Sequence, residues 1–186
     1  VQEMPAVVIL HGSGGLWSND NVAGGVMTSN FEEWGERLAE LGYVALFVDS
    51  FTPRGLVTFR SKRPHWDPAK DDSVCSPGYE RTKDAYAALE YLQSDLFEGV
   101  VDPDRIGLMG FSHGASTALS AVVSQTVQKN NWVVSYVNPD GTKNHNYPVP
   151  APQRPDNNDE TSAFKVVVAY YPGVGFYKYF GSIYTS

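Results

Sequence analysis

The stretch that most restricts how this chain folds is Gly110-Phe111-Ser112-His113-Gly114. Residues 105–109 before it read as a short buried strand. Residues 115–123 after it are apolar and small, which suits a helix. A serine on so tight a strand-to-helix turn is held in a strained backbone conformation with its hydroxyl exposed. The flanking glycines keep side chains out where strand and helix nearly touch. Backbone N–H groups at the start of the helix suit a negatively charged oxygen. Ser112 therefore reads as a nucleophile. The plainer alternative is a structural junction with a capping serine.

A second glycine-rich loop strengthens the first reading. Residues 6–10 form an apolar, β-branched run, and His11-Gly12-Ser13-Gly14-Gly15 follows it. Neither G-x-G-x-x-G nor a Walker pattern is present, which argues against a nucleotide site. A strand ending in His-Gly-x-Gly-Gly resembles the oxyanion loop of α/β-hydrolases.

Four stretches extend that likeness along the chain. They are residues 5–15, residues 42–51 (Gly-Tyr-Val-Ala-Leu-Phe-Val-Asp-Ser-Phe), residues 102–114, and residues 166–173 (Val-Val-Val-Ala-Tyr-Tyr-Pro-Gly). Their order and spacing resemble the dienelactone hydrolase branch of the α/β-hydrolase superfamily. The resemblance implies a mostly parallel sheet with helices on both faces. It also implies Ser112 as the catalytic nucleophile and an oxyanion hole made by the backbone N–H groups of Ser13 and His113. His11 would hold its loop rather than move protons. No cofactor and no metal are implied. The best-known members carry a cysteine nucleophile and a glutamate in the oxyanion loop, where this chain has Ser112 and Gly12. That departure favours a serine esterase or lactonase acting on small-molecule esters. The runners-up are a serine peptidase or acyltransferase on the same fold, and a catalytically silent binding module.

In that family the triad acid follows the strand after residues 166–171, and the histidine lies further on. Within this sequence the histidines after Ser112 are His113 and His145. His113 flanks the nucleophile and His145 sits in an Asn/Pro-rich insertion, so neither suits the general base. The expectation is a partial α/β-hydrolase domain over 1–186, without the strands that carry the acid and the histidine. The chain then reads as an internal or processed fragment of a longer hydrolase.

Composition bounds the rest. A hydrophobic content of 42% supports a real core. A net charge of −7 argues against nucleic-acid binding. No apolar run approaches the length of a membrane span. The compartment stays open. The single cysteine, Cys75, leaves no partner for an internal disulfide and reads as an inert thiol.

Helices are expected over 31–41 and 81–94, and strands over 43–48 and 165–171. The first helix has a capping-box-like start at Asn30 and Glu33, with Phe31, Trp34, Leu38 and Leu41 facing the sheet. The second turns Ala85, Ala88, Leu89 and Leu92 inward. Asp102-Pro103-Asp104-Arg105 reads as a turn. Asp49 and Arg54 should lie near the site, either shaping its floor or pairing to fix their loop. His65 and Trp66 belong to a long loop over 55–78. Residues 128–162 form an insertion, with strands at 131–137 and 142–149 joined by the turn Asn138-Pro139-Asp140-Gly141. Flap over the pocket, surface decoration and homodimer contact are all open to it. The acidic set Asp140, Asp156, Asp159 and Glu160 lacks a regular ligand spacing.

Overall fold

The computed structural model describes residues 2–58, 75, 77, 80–122, 133–137, 143–148 and 164–172. Its centre is a four-stranded, wholly parallel sheet. The strands are β1 (Met4–Leu10), β2 (Val44–Val48), β3 (Val101–Phe111) and β6 (Val167–Tyr170), in the order β2-β1-β3-β6. Helices α1 (Ser29–Glu40), α2 (Glu80–Leu92) and α3 (His113–Val122) connect them.

Alternation along the central strands explains the layering. Ala6, Val8 and Leu10 of β1 join Ile106 and Leu108 of β3 in a core covered by α2 and α3. Val7 and Ile9 point the other way and, with Met109 and Phe111, pack on α1. Successive strand side chains face opposite sides, so a strand buried on both reads as a continuous apolar run. Each fully buried Leu or Ile in such a core stabilises the fold by about 1.5–3 kcal/mol. From β1 the chain passes to β2 on one side, then crosses to β3 on the other. The switch point falls between β1 and β3, and in open α/β sheets the crevice at that point, outside the strands' carboxyl ends, is where ligands bind.

Several expectations are corrected in detail. Leu41 is exposed because α1 ends at Glu40. Gly42, at φ +79°, turns the chain out of the helix and donates to Ala39 O. The N-cap of α1 is Thr28 rather than Asn30, and Thr28 O accepts from the N–H groups of Phe31 and Glu32. The turn at Asp102–Arg105 is absorbed into β3 as an irregularity. Met4 pairs with Val101 and Ala6 with Ile106, so the extra residues bow out of the ladder. Asp102 closes that bow by accepting from Asp104 N–H and Arg105 Nε.

Two further strands, β4 (Val133–Val137) and β5 (Lys143–Pro148), form a separate antiparallel pair. Its turn, Trp132, His65, Trp66, Asp140, Asp156, Asp159 and Glu160 lie outside the described residues. No helix among the described residues is long and apolar enough to cross a membrane.

Candidate active site

Ser112 begins the turn between β3 and α3 with φ +51°. A side chain rarely adopts this left-handed region, which costs about 1 kcal/mol or more. The surroundings hold it there. Ser112 N–H donates to Tyr170 O at 2.9 Å, and Ser112 O accepts from Ser116 N–H at 3.1 Å. One bond ties the turn to β6 and the other starts α3. Tyr171, directly after β6, is also left-handed at φ +42°.

The two glycines of the motif are there for want of space. A Cβ on Gly114 would overlap Leu10 O and stand 2.6 Å from His11 O. A Cβ on Gly110 would overlap Gly114 O. Helix α3 thus crosses the end of β1 in direct backbone contact, which brings the loop after β1 against the turn at Ser112. Gly12 sits between them. A Cβ there would lie 3.3 Å from Phe111 O and 3.4 Å from Ser112 Cβ. A methyl group at position 12 would touch Ser112 Cβ at ordinary contact distance and crowd Phe111 O slightly. The loop closes as a turn, with Gly15 N–H donating to Gly12 O, and carries Ser13 and Gly14 at its exposed tip.

His11 is fully buried beneath that loop. Its Nε2 accepts from Ser50 N–H, so the ring proton is on Nδ1, which donates to Gly12 O at 2.7 Å. Burial, then the nearby Arg81 cation, push its pKa down to about 3. A neutral imidazole with both nitrogens engaged is a strut for the loop. The unfolded histidine titrates near 6.5, so as pH falls the unfolded chain takes the proton first. His11 therefore adds stability that is complete above pH 6.5 and is lost as pH drops towards 3. Each pH unit of that window is worth about 1.4 kcal/mol, which brings the whole to several kcal/mol. Imidazole nitrogen shifts should show His11 neutral at pH 5; titration near 6.5 would contradict the assignment.

His113 is turned onto a buried guanidinium. Arg81 Nη1 donates to His113 Nδ1 at 2.8 Å, so the ring proton of His113 is on Nε2. Arg81 Nη2 donates to His11 O at 2.7 Å. Phe51, itself fully buried, lies edge-on to His11 and His113 and under the Arg81 guanidinium at 5.3 Å. Arg81 went unnoticed in the sequence as a site residue. The signal was there: it falls four residues before the inward Ala85, on the buried stripe of α2.

Asp49 and Arg54 do not pair. Asp49 accepts from Trp17 Nε1 at 2.6 Å and from the N–H groups of Phe51 and Thr52, which pins the loop after β2 to the segment after the glycine turn. Arg54 reaches Asp84 of α2 through two bonds of 2.7 and 2.8 Å and also donates to Ser50 O. Both residues shape the loop wall. Leu46, Val48, Arg54 and Asp84 line an open groove of about 510 Å³ that does not include Ser112. Cys75 is buried with Phe51 and Leu56, and burial pushes its thiol up to about 11, far from a thiolate at neutral pH. Among the described residues no cluster of His, Cys, Asp and Glu could hold a metal.

A left-handed serine between two space-excluded glycines, at the switch point of a parallel sheet, agrees with one further finding. The dienelactone hydrolase family model matches residues 1–152. The chain belongs to the dienelactone hydrolase family. Its sheet and helices are those of the α/β-hydrolase fold. No curated protein sequence matches it. Among solved structures, an inhibited esterase B from Lactobacillus rhamnosis is 21% identical, with a TM-score of 0.38, over 69% of this chain and 32% of that one. A truncated carbohydrate esterase from gut microbiota is 19% identical, with a TM-score of 0.43, over 92% of this chain and 47% of that one. The chain thus spans less than half the length of either, and likeness at this level carries no argument about substrate.

Proposed function

We propose that this dienelactone hydrolase family chain supplies the nucleophile and oxyanion loop of a serine hydrolase acting on carboxylic esters or lactones. The observation that carries the reading is the conformation of Ser112, left-handed and held from both sides where β1 and β3 end. Ser112 Oγ attacks the carbonyl carbon and gives its proton to a general base. The oxygen that becomes negative is held by the N–H groups of Ser13 and His113. The alcohol leaves with the proton, and water then releases the acid from the acyl-serine. Ser13 sits at the exposed tip of a loop packed on the serine turn, and its N–H has no backbone partner among the described residues. His11 is unsuited as the base: both its nitrogens are engaged, and burial pushes its pKa down to about 3, so it holds a proton poorly. His113 is occupied at Nδ1 by Arg81. The base and its acid are therefore assigned to residues outside those described, in the family's order of serine, acid and histidine.

The test is a substrate panel run on the full-length protein. Aryl and alkyl esters, lactones, peptides and acceptor alcohols would be compared by kcat/KM. Turnover of esters or lactones well above peptides supports the proposal. Peptide cleavage or acyl transfer as the faster reaction would replace it with the runner-up, and no turnover with any substrate would favour a binding module.

A further inference from the structure

We propose that Arg81 is a positioning residue for the oxyanion site, clamping the loop after β1 to the turn after β3. This rests on the hydrolase reading above. Arg81 is wholly excluded from solvent, and burying a full cation is costly unless its hydrogen bonds are satisfied. It also stands in the first turn of α2, where a positive charge opposes the helix dipole. Local propensity would not place an arginine there.

The fork gives the placement a purpose. Nη2 bonds His11 O, the carbonyl that enters the Gly12–Gly15 turn. Nη1 bonds His113 Nδ1, on the residue whose N–H is the second proposed donor. One rigid plane therefore sets both halves of the hole. Lysine, a single point donor, cannot hold two acceptors in fixed relation. Phe51 supports the guanidinium from its face. A cation at hydrogen-bond range of both loops also favours negative charge developing on the substrate oxygen.

A clamp predicts a kinetic effect that simple loss of stability does not. Arg81→Met, Arg81→Lys and His113→Ala would be made in the full-length protein. Active sites would be counted by fluorophosphonate titration, so that kcat is expressed per competent serine. Displacing one oxyanion donor is expected to lower kcat per titrated site by about tenfold to hundredfold, with KM within about twofold. Arg81→Lys should fall between wild type and Arg81→Met. His113→Ala frees one arm of the clamp without removing the backbone donor, and adding Arg81→Met to it should cost less than Arg81→Met alone.

Unchanged kcat per site in folded Arg81→Met or Arg81→Lys would overturn the clamp and leave only a structural arginine. If both arginine variants fail to fold, His113→Ala decides alone: a tenfold fall in kcat at constant KM supports the clamp, and none overturns it. If the wild-type protein neither reacts with the probe at Ser112 nor turns over any ester, the hydrolase reading fails and the clamp fails with it. An active wild type with unaffected variants sinks the clamp alone.

Discussion

Replacing Gly114 with alanine should unfold the protein or destabilise it by more than about 4 kcal/mol, the range reserved for steric failure in a core. The new methyl group would overlap Leu10 O and crowd His11 O. Neither atom can retreat. Leu10 ends β1, which is paired on both edges, with β2 and β3. His11 is fixed through Arg81 and Ser50. Helix α3 would have to lift off the sheet, exposing Ala115, Ala118 and Ala121. Gly14 is the control, because a Cβ there meets nothing within 4 Å. Urea unfolding of the two alanine variants checks the argument. Equal midpoints would show that the contact between α3 and β1 is not close.

Ser112→Ala should remove about 10⁴-fold or more of kcat while leaving the fold intact. Loss of a nucleophile in a serine triad costs on that order, since the remaining groups act only through it. Alanine inherits the left-handed backbone, so stability should change little. Ser112→Gly should be equally inactive yet more stable than Ser112→Ala by about 1 kcal/mol, because glycine adopts φ +51° without penalty. Activity and stability would then move in opposite senses at one position, as expected where backbone strain is held for function. Residual activity in Ser112→Ala above a hundredth of wild type would assign the chemistry elsewhere.

What the sequence disclosed follows how local each constraint is. The turn at Ser112 was legible because its sterics are fixed by five consecutive residues, with strand and helix patterns on either side. The inward face of α2 was legible from its helical spacing, and β1 and β3 were legible as apolar runs, because strands buried on both faces carry no polar alternation. Leu41 misled because helical spacing carries no mark of where a helix stops, and Gly42 ended α1 one residue earlier. Asp49 and Arg54 misled for a different reason. They are close in sequence, but the partner of Arg54 lies thirty residues on, in α2. The Arg81 fork joins residues separated by 70 and 32 positions, so only the assembled sheet reveals it.

The most direct test of the account is the intact mass of the full-length protein before and after treatment with a fluorophosphonate. Such a probe reacts with an activated serine and leaves an ordinary hydroxyl untouched. The account predicts the gain of one probe, mapped to Ser112 and absent from Ser112→Ala. A folded protein whose mass does not change would contradict it, leaving the turn at Ser112 as a structural junction.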